Sequence, residues 1–543
     1  MNHQEISGII VDVTEEEMFS GTLIVEKGTI VDRKRMDGYS DRFIIPGFID
    51  SHVHIESSML PPSEFARAAV IHGTVATVSD PHEIANVLGM EGLRYMIENG
   101  ETVPMKFYFS APSCVPASPF ETSGAVLDGA DVKTLLEMPE IRYLGEVMNY
   151  PGVINRDPEV TRKIHAALQR GKPADGHAPG LCGRELAAYA AAGISTNHEC
   201  LSPDEVREDI RNGITVQIRE GSAAGIFSEC LPILEECFTD CMFCSDDKHP
   251  DDLLKGHIND MVKRACRYGI DPLKVLRMAA VNPVHHYGLD VGLLRPGDSA
   301  DFLVVDNLSD FTVLETHIEG KVVARNGMAL FPHRTPPIVN RFNAQETTPA
   351  DFTLPCRGDR LNVIGITDGQ IITSRLIEEP TVHEECVVSD IGRDILKIAV
   401  INRYDAAPPS VGFVKHFGLK RGAVASTVSH DSHNIVAVGV TDDDIARAVN
   451  LLVDAGGGIA AVSGEAEALL PLPVAGLMSD RDYRTVAESY TGLDRMAKSM
   501  GSMLRAPFMT LSFMALSVVP SLKLTDRGLF NGETFAYIDL FQS

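Results

Sequence analysis

Basic residues are scarce. The 543-residue chain carries 48 lysines and arginines against 75 aspartates and glutamates, a formal net charge of −27. Phosphate backbones are bound by clustered cations, so this deficit excludes a general nucleic-acid surface. Long apolar runs are missing as well. The most apolar late stretch, "FMTLSFMALSVVP" (Phe508 to Pro520), is too short to span a bilayer and reads as core. The opening residues, "MNHQEISGII", hold no basic segment followed by an apolar one, so no secretory leader is expected and a cytoplasmic protein is. Ten cysteines are scattered without disulfide-like spacing, which suits a reducing compartment. The lone CxxC, Cys241 to Cys244, lacks the second pair that a zinc ribbon needs, and its apolar surroundings favour buried thiols.

The remaining composition is that of an ordinary soluble protein, with 44% apolar and 23% charged residues. The length allows more than one domain. Short β-like runs fill residues 1–47. From 48 to about 290, short apolar runs alternate with amphipathic stretches, the pattern of βα units. Eight candidate strands can be counted: "GFIDSHVH", "GTVATVSD", "MKFYFSAP", "IRYLGEVM", "PADGHAP", "GISTNHE", "TVQIREGS" and "CMFCSDD". Eight such units over this length predict a (β/α)8 TIM-type barrel. Residues 291–345 return to short strands and are expected to complete a small flanking β-sandwich with residues 1–47. The polar, proline-rich stretch from His333 to Pro355 reads as a linker. Residues 346–543 read as an additional, independent C-terminal α+β domain.

The strand ends carry the chemistry. In "IIPGFIDSHVHIESSM", His52 and His54 are two apart, so in a strand both rings face one side. They are either half of a metal site or two surface histidines opening a loop. Asp80, His82 and Glu83 end the second strand, Glu146 the fourth, His177 the fifth, His198 and Glu199 the sixth, Arg219 and Glu220 the seventh, and Asp246 and Asp247 the eighth. A barrel gathers these ends on one face. His52, His54, Glu146, His177, His198 and Asp246 exceed the needs of one tetrahedral zinc and suit two divalent ions with Glu146 as the bridge. Such a pair would make hydroxide available near neutral pH, with Asp246 taking the water's proton. Mn²⁺ and Fe²⁺ are the expected ions, and Zn²⁺ is also compatible.

Pro46-Gly47-x-x-Asp50-x-His52-x-His54, the histidines in "DGHAP" and "TNHEC", the aspartate of "SDD", and "GLDVGLLRPGDSADFLVVD" together resemble the amidohydrolase superfamily. Within it, "SDPHEIANV", "GEVMNYPGV", "REGSAA", "CSDDKHP", "GLKRGAVASTVSHDSHN" and "LKLTDRGLF" make the chain similar to the bacterial type of adenine deaminase over essentially its whole length. The resemblance implies hydrolysis of adenine to hypoxanthine and ammonia in purine salvage, by hydroxide on a binuclear metal centre. His52, His54, His177, His198 and Asp246 match the superfamily's ligand positions. Glu146 stands where many relatives use a carboxylated lysine, and Gly180 where many deaminases place an acidic group that protonates the ring.

The implied catalytic groups are Asp246, Glu83 and His198. Hydroxide attacks C6, N1 takes a proton, and Asp246 passes the hydroxide's proton to ammonia. Glu83 is the candidate at N1, with Asp80 and His82 in support; its alternative role is to cap a helix. Arg219 and Glu220 either grip the purine edge or form a surface ion pair. His430 and His433 of "SHDSHN" close over the pocket, bind a further metal, or do neither. His249, His285 and His286 are not expected to be ligands. The partners expected are adenine and further copies of the chain, as a dimer or tetramer, with no nucleic acid and no membrane. The rival readings are another hydrolase of the superfamily, such as a cyclic amidase, and a di-iron redox protein.

Overall fold

The computed structural model describes residues 3–38, 40–223 and 225–542. Its centre is a barrel of eight parallel strands: Phe48–Val53, Thr74–Ser79, Lys106–Ala111, Ile141–Val147, Ala174–Gly176, Thr196–Asn197, Thr215–Arg219 and Cys241–Cys244. Each falls within one of the segments read from the sequence. Five pair in one parallel sheet and three in another. The first seam closes through His54 N–H to Asp246 O (3.2 Å) and Asp246 N–H to His52 O (2.9 Å), and the second through Ser195 N–H to Ala174 O (2.8 Å). The strands are almost wholly buried, as parallel strands covered by helices on one side and packed side chains on the other must be. Helices start on local signals. At Pro203–Arg211, for example, the Ser202 hydroxyl accepts from Glu205 N–H and Pro203 occupies the first turn.

The chain before and after the barrel shares one sheet. Its order is Met328–Ala329, Lys321–Arg325, Val313–Ile318, Phe302–Val305, Phe43–Pro46, His3–Asp12, Glu17–Glu26 and Thr29–Arg35. Phe43–Pro46 leads straight into the first barrel strand, and its antiparallel pairing with Phe302–Val305 fixes where that strand begins.

The C-terminal region forms a nine-stranded sheet. Helix Asp442–Ala455 covers one face with a separate apolar cluster around Ile445, Val449 and Leu452. Leu396, Ile398, Val436 and Val438 belong to the same continuous apolar cluster as the barrel. The region is therefore not independent: its inner face is packed into the barrel's core. The stretch read as a linker bonds to both sides, through Arg341 to Gly124 O and Asn343 to Arg403 O. Among the described residues no helix is long and apolar enough to cross a membrane.

One buried polar group ties barrel strands together and another ties segments of the C-terminal region. Asp50, two residues before His52, accepts from Ser245 N–H (3.0 Å), from the Ser245 hydroxyl and from His257 Nε2 (2.8 Å), while His257 Nδ1 meets the Thr74 hydroxyl at 2.6 Å. This knots strands one, two and eight beside the histidine pair. Lys523, on Leu522–Thr525, is fully buried and donates to Ile371 O (2.8 Å) and Phe513 O (2.9 Å) without a carboxylate partner among the described residues.

Removing the carboxylate in Asp50→Ala leaves the Ser245 amide and His257 without their acceptor. This is expected to cost about 2–5 kcal/mol of unfolding free energy, read by denaturant titration; a cost below about 1 kcal/mol would mean that the knot is marginal. Burial pushes the Lys523 ammonium down to about 7, whereas the unfolded chain holds that proton to about 10.4. Between these values the unfolded state binds more protons, so stability rises with pH. The wild-type stability, taken relative to Lys523→Met, should stay flat below about 7 and then climb by at most about 1.4 kcal/mol per pH unit. A pH-independent difference would rule out a buried charge there.

Candidate active site

The C-terminal ends of the barrel strands bring all six sequence-derived ligands together. His52 Nε2 and His54 Nε2 lie 3.2 Å apart. Asp246 Oδ1 is 3.1 Å from His54 Nε2 and 3.6 Å from His52 Nε2. Glu146 faces two ways. Its Oε1 is 3.3 Å from His54 Nε2, and its Oε2 is 2.7 Å from His177 Nδ1 and 3.1 Å from His198 Nε2. All six side chains are buried or nearly so. Burial alone would raise the Glu146 carboxyl, yet His177 and His198 hold it well below the usual range.

This donor set fits divalent cations for a reason internal to the protein. His54 Nδ1 lies 3.0 Å from the carbonyl oxygen of Asp80 and must donate to it. In the neutral ring Nε2 is then a bare lone pair. That lone pair faces oxygens of both Glu146 and Asp246, so acceptor meets acceptor. Only a proton or a metal cation relieves this. His52 Nδ1 and His198 Nδ1 are buried with no hydrogen-bond partner among the described residues.

The surrounding groups sort differently from the sequence-based expectation. Arg219 does not reach freely into the cavity: it forks onto both oxygens of Glu199, and its NH1 bonds Asp246 Oδ2 at 2.6 Å. It neutralises carboxylates beside the ligands. Glu220 is a correction. Successive strand residues face opposite sides, so Arg219 turns inward while Glu220 turns out to pair with Arg264 (2.5 Å) and lines a separate cleft. Asp80 also stands back from the cavity, accepting from Ser110 Oγ and Glu146 N–H, both at 2.8 Å. It orients Glu146 and, through its carbonyl, His54. His82 lies between the two groups of acids, with Nδ1 3.5 Å from Glu146 and Nε2 3.4 Å from Glu83.

Glu83 sits in the first turn of helix His82–Leu88 but does not cap it; Ile84 N–H bonds Glu56 Oε1 instead. Both Glu83 oxygens point to the C-terminal region, Oε1 to His430 Nδ1 and Oε2 to His433 Nε2. Burial favours the neutral acid, but His430, His433 and His82 outweigh it and keep Glu83 ionised, well below the usual range. The segment 429–434 thus lies over the barrel mouth. Tyr404 holds it by donating to Ser432 O (2.6 Å).

The cavity at the barrel mouth holds about 30 Å³ of water-accessible space. The ligands and Glu83 form one side. Ile371, Phe513 and Leu516 from the C-terminal region and Met148 from the barrel add an apolar wall. Phe513 stacks on His430 with ring centres 4.9 Å apart. Sequence reasoning missed the roles of Glu199, the apolar wall and Lys523 behind it. Glu199 was visible only as a neighbour of His198, and the wall residues carried no local signal. Outside the cavity, His249 meets the Tyr490 hydroxyl (2.5 Å) and His286 meets Ser195 Oγ (3.2 Å).

Residues 43–323 match the amidohydrolase family and residues 370–536 match the adenine deaminase C-terminal domain. Adenine deaminase from Salinibacter ruber is 54% identical, over 99% of this chain and 98% of that protein. The adenine deaminase of Sulfurovum sp. strain NBC37-1 is 52% identical over 98% and 99%, and that of Methanosarcina mazei is 47% identical over the same shares. Among solved structures, a β-aspartyl dipeptidase from Fervidobacterium islandicum AW-1 is 14% identical with a TM-score of 0.45, over 60% of this chain and 99% of that one. With a barrel, a C-terminal region and full-length relatives all of one kind, the chain belongs to the amidohydrolase family and, within it, to the adenine deaminases.

Proposed function

We propose that the chain hydrolyses adenine to hypoxanthine and ammonia in purine salvage, with two divalent cations held at the barrel mouth. The chemical side of this reading rests on one observation: the two oxygens of Glu146 face different imidazoles, Oε1 that of His54, which lies beside His52 and Asp246, and Oε2 those of His177 and His198. Full-length similarity to proteins named adenine deaminase supports the substrate.

His52, His54 and Asp246 would hold one ion, His177 and His198 the other, with Glu146 shared. The chemistry such ions supply is Lewis-acid activation of water, whose pKa they bring towards neutrality. Mn²⁺ and Fe²⁺ suit this mixed imidazole and carboxylate set, as does Zn²⁺. The remaining work falls to the protein. Asp246 accepts the water's proton and returns it to the departing ammonia. Arg219 and Glu199 hold Asp246 in place. Ile371, Phe513 and Leu516 cover a flat purine and keep bulk water away. Glu83, on the opposite side of His82 from Glu146, delivers a proton to N1 as C6 becomes tetrahedral. Since its carboxylate is ionised at rest, that proton must reach Glu83 from a neighbour. We place the enzyme in the cytoplasm as a homo-oligomer.

Protein loaded with Mn²⁺ should contain two metal ions per chain by elemental analysis and convert adenine to hypoxanthine in an absorbance assay. Glu146→Gln should retain at most one ion and lose roughly 100-fold or more in kcat, because even the outer partners of metal ligands are worth 10–100-fold. Wild-type activity with Gln at this position would remove Glu146 from the bridging role.

A further inference from the structure

We infer that His430, donated by the C-terminal region, is the source of the N1 proton and passes it through Glu83. The inference rests on the adenine reading above and extends it to a residue outside the barrel.

The two histidines of the segment 429–434 have different duties, and the backbone decides which. Ser429 N–H bonds His433 Nδ1 at 3.2 Å. Nδ1 is therefore an acceptor, and the proton of a neutral ring lies on Nε2, aimed at Glu83 Oε2. A ring in this tautomer has no lone pair left to offer a cation at Nε2, so Glu83, His430 and His433 are not a further metal site. His433 is a fixed donor that anchors one oxygen of Glu83.

His430 has no such constraint. Its Nδ1 meets Glu83 Oε1, while its Nε2 is buried without a hydrogen-bond partner among the described residues, 3.8 Å from Asp247 Oδ1. The ring forms part of the cavity wall beneath Phe513. The groups facing it are Glu83 and His82 from the barrel helix, Asp247 and His249 from the loop after strand eight, and Asp431 and His433 from its own loop. Burial alone would lower the imidazole, but Glu83 and Asp247 lift it to about 9. At neutral pH the pair is thus imidazolium and carboxylate, and together they hold one transferable proton. Glu83 alone holds none.

The proton count closes. As C6 is attacked, the water's first proton goes to Asp246; N1 gains basicity, takes a proton from Glu83 Oε1, and Glu83 takes one from His430 Nδ1. The Asp246 proton leaves with the amino group as ammonia. The C6 hydroxyl then loses its proton, N1 keeps the one it received, and the product is hypoxanthine. The released hydroxyl proton equals the one that returns to His430, so the enzyme ends as it began.

His430→Gln keeps a donor for Glu83 but no transferable proton. It should lower kcat about 10²- to 10⁴-fold, with KM changed by only a few-fold and metal content unchanged. The fall of wild-type kcat/KM above pH about 9 should disappear in this variant. In His430→Ala, imidazole buffer should restore turnover where Tris at the same pH does not. A His430→Gln enzyme within about threefold of wild type that keeps its alkaline limb would overturn the relay. Should both variants misfold, a wild-type profile that stays flat to about pH 10 would overturn it too. If wild-type protein leaves adenine unchanged, the functional reading itself fails. If wild type is active, Glu83→Gln is dead and His430→Gln is not, only the relay fails.

Discussion

The site depends on a conflict that only an added proton or cation resolves. The Asp80 carbonyl takes the only proton of a neutral His54, and the Nε2 lone pair left over faces Glu146 and Asp246. Acceptors packed against acceptors in a buried site repel, and burial removes the water that would relieve them. The barrel supplies the rigidity to hold them there. Backbone bonds join His52 and His54 to Asp246 across the closing seam, and Asp50 and Ser245 knot the same two strands just below. Buried donors that converge in this way could hold cations without any motion of the fold.

A bare metal nest at a barrel mouth would be open to solvent. The C-terminal region closes it, and its closing surface is fixed by buried polar bonds rather than by a flexible flap. Lys523 pins the carbonyls behind Ile371 and Phe513, and Tyr404 pins the loop that carries His430 and His433. A buried ammonium without a counter-charge is costly. Its bonds join two segments, around residues 371 and 513, whose side chains make the apolar wall, so loss of either would loosen the lid. The cover of the cavity and the grip on Glu83 thus come from one surface.

The barrel and its ligands were legible in the sequence because their signals are local. A strand of fixed period two makes His52-x-His54 a pair, and apolar runs with ionisable ends mark the strands one by one. The orientation of Glu220 was legible in principle from the same alternation, since Arg219 and its neighbour cannot both face inward. The lid was not legible. Ile371, Phe513 and Leu516 look like core residues, and only the fold brings them against the barrel. Reading residues 346–543 as independent failed for the same reason. The inner sheet face is as apolar as any core face, and composition cannot say whether the partner lies within the region or across it.

The lid also accounts for an absence in the barrel. Position 180, where many related deaminases place an acid, is Gly180, with φ of +70° and no atom within 4 Å of the point a Cβ would occupy. Space does not forbid a side chain there; the left-handed backbone disfavours one. An acid three residues past His177 would approach the cavity from the side of strand five. Glu83 approaches from strand two, on the far side of His82 from Glu146, and lies directly under the loop that carries His430. Moving the acid from strand five to strand two therefore places it within reach of the C-terminal region. A carboxylate held ionised by two histidines is a poor acid alone, but it conducts a proton well when one of those histidines is charged. On the proposed relay, the C-terminal region would supply a proton as well as cover the cavity, in keeping with the burial of the whole polar cluster "SHDSHN".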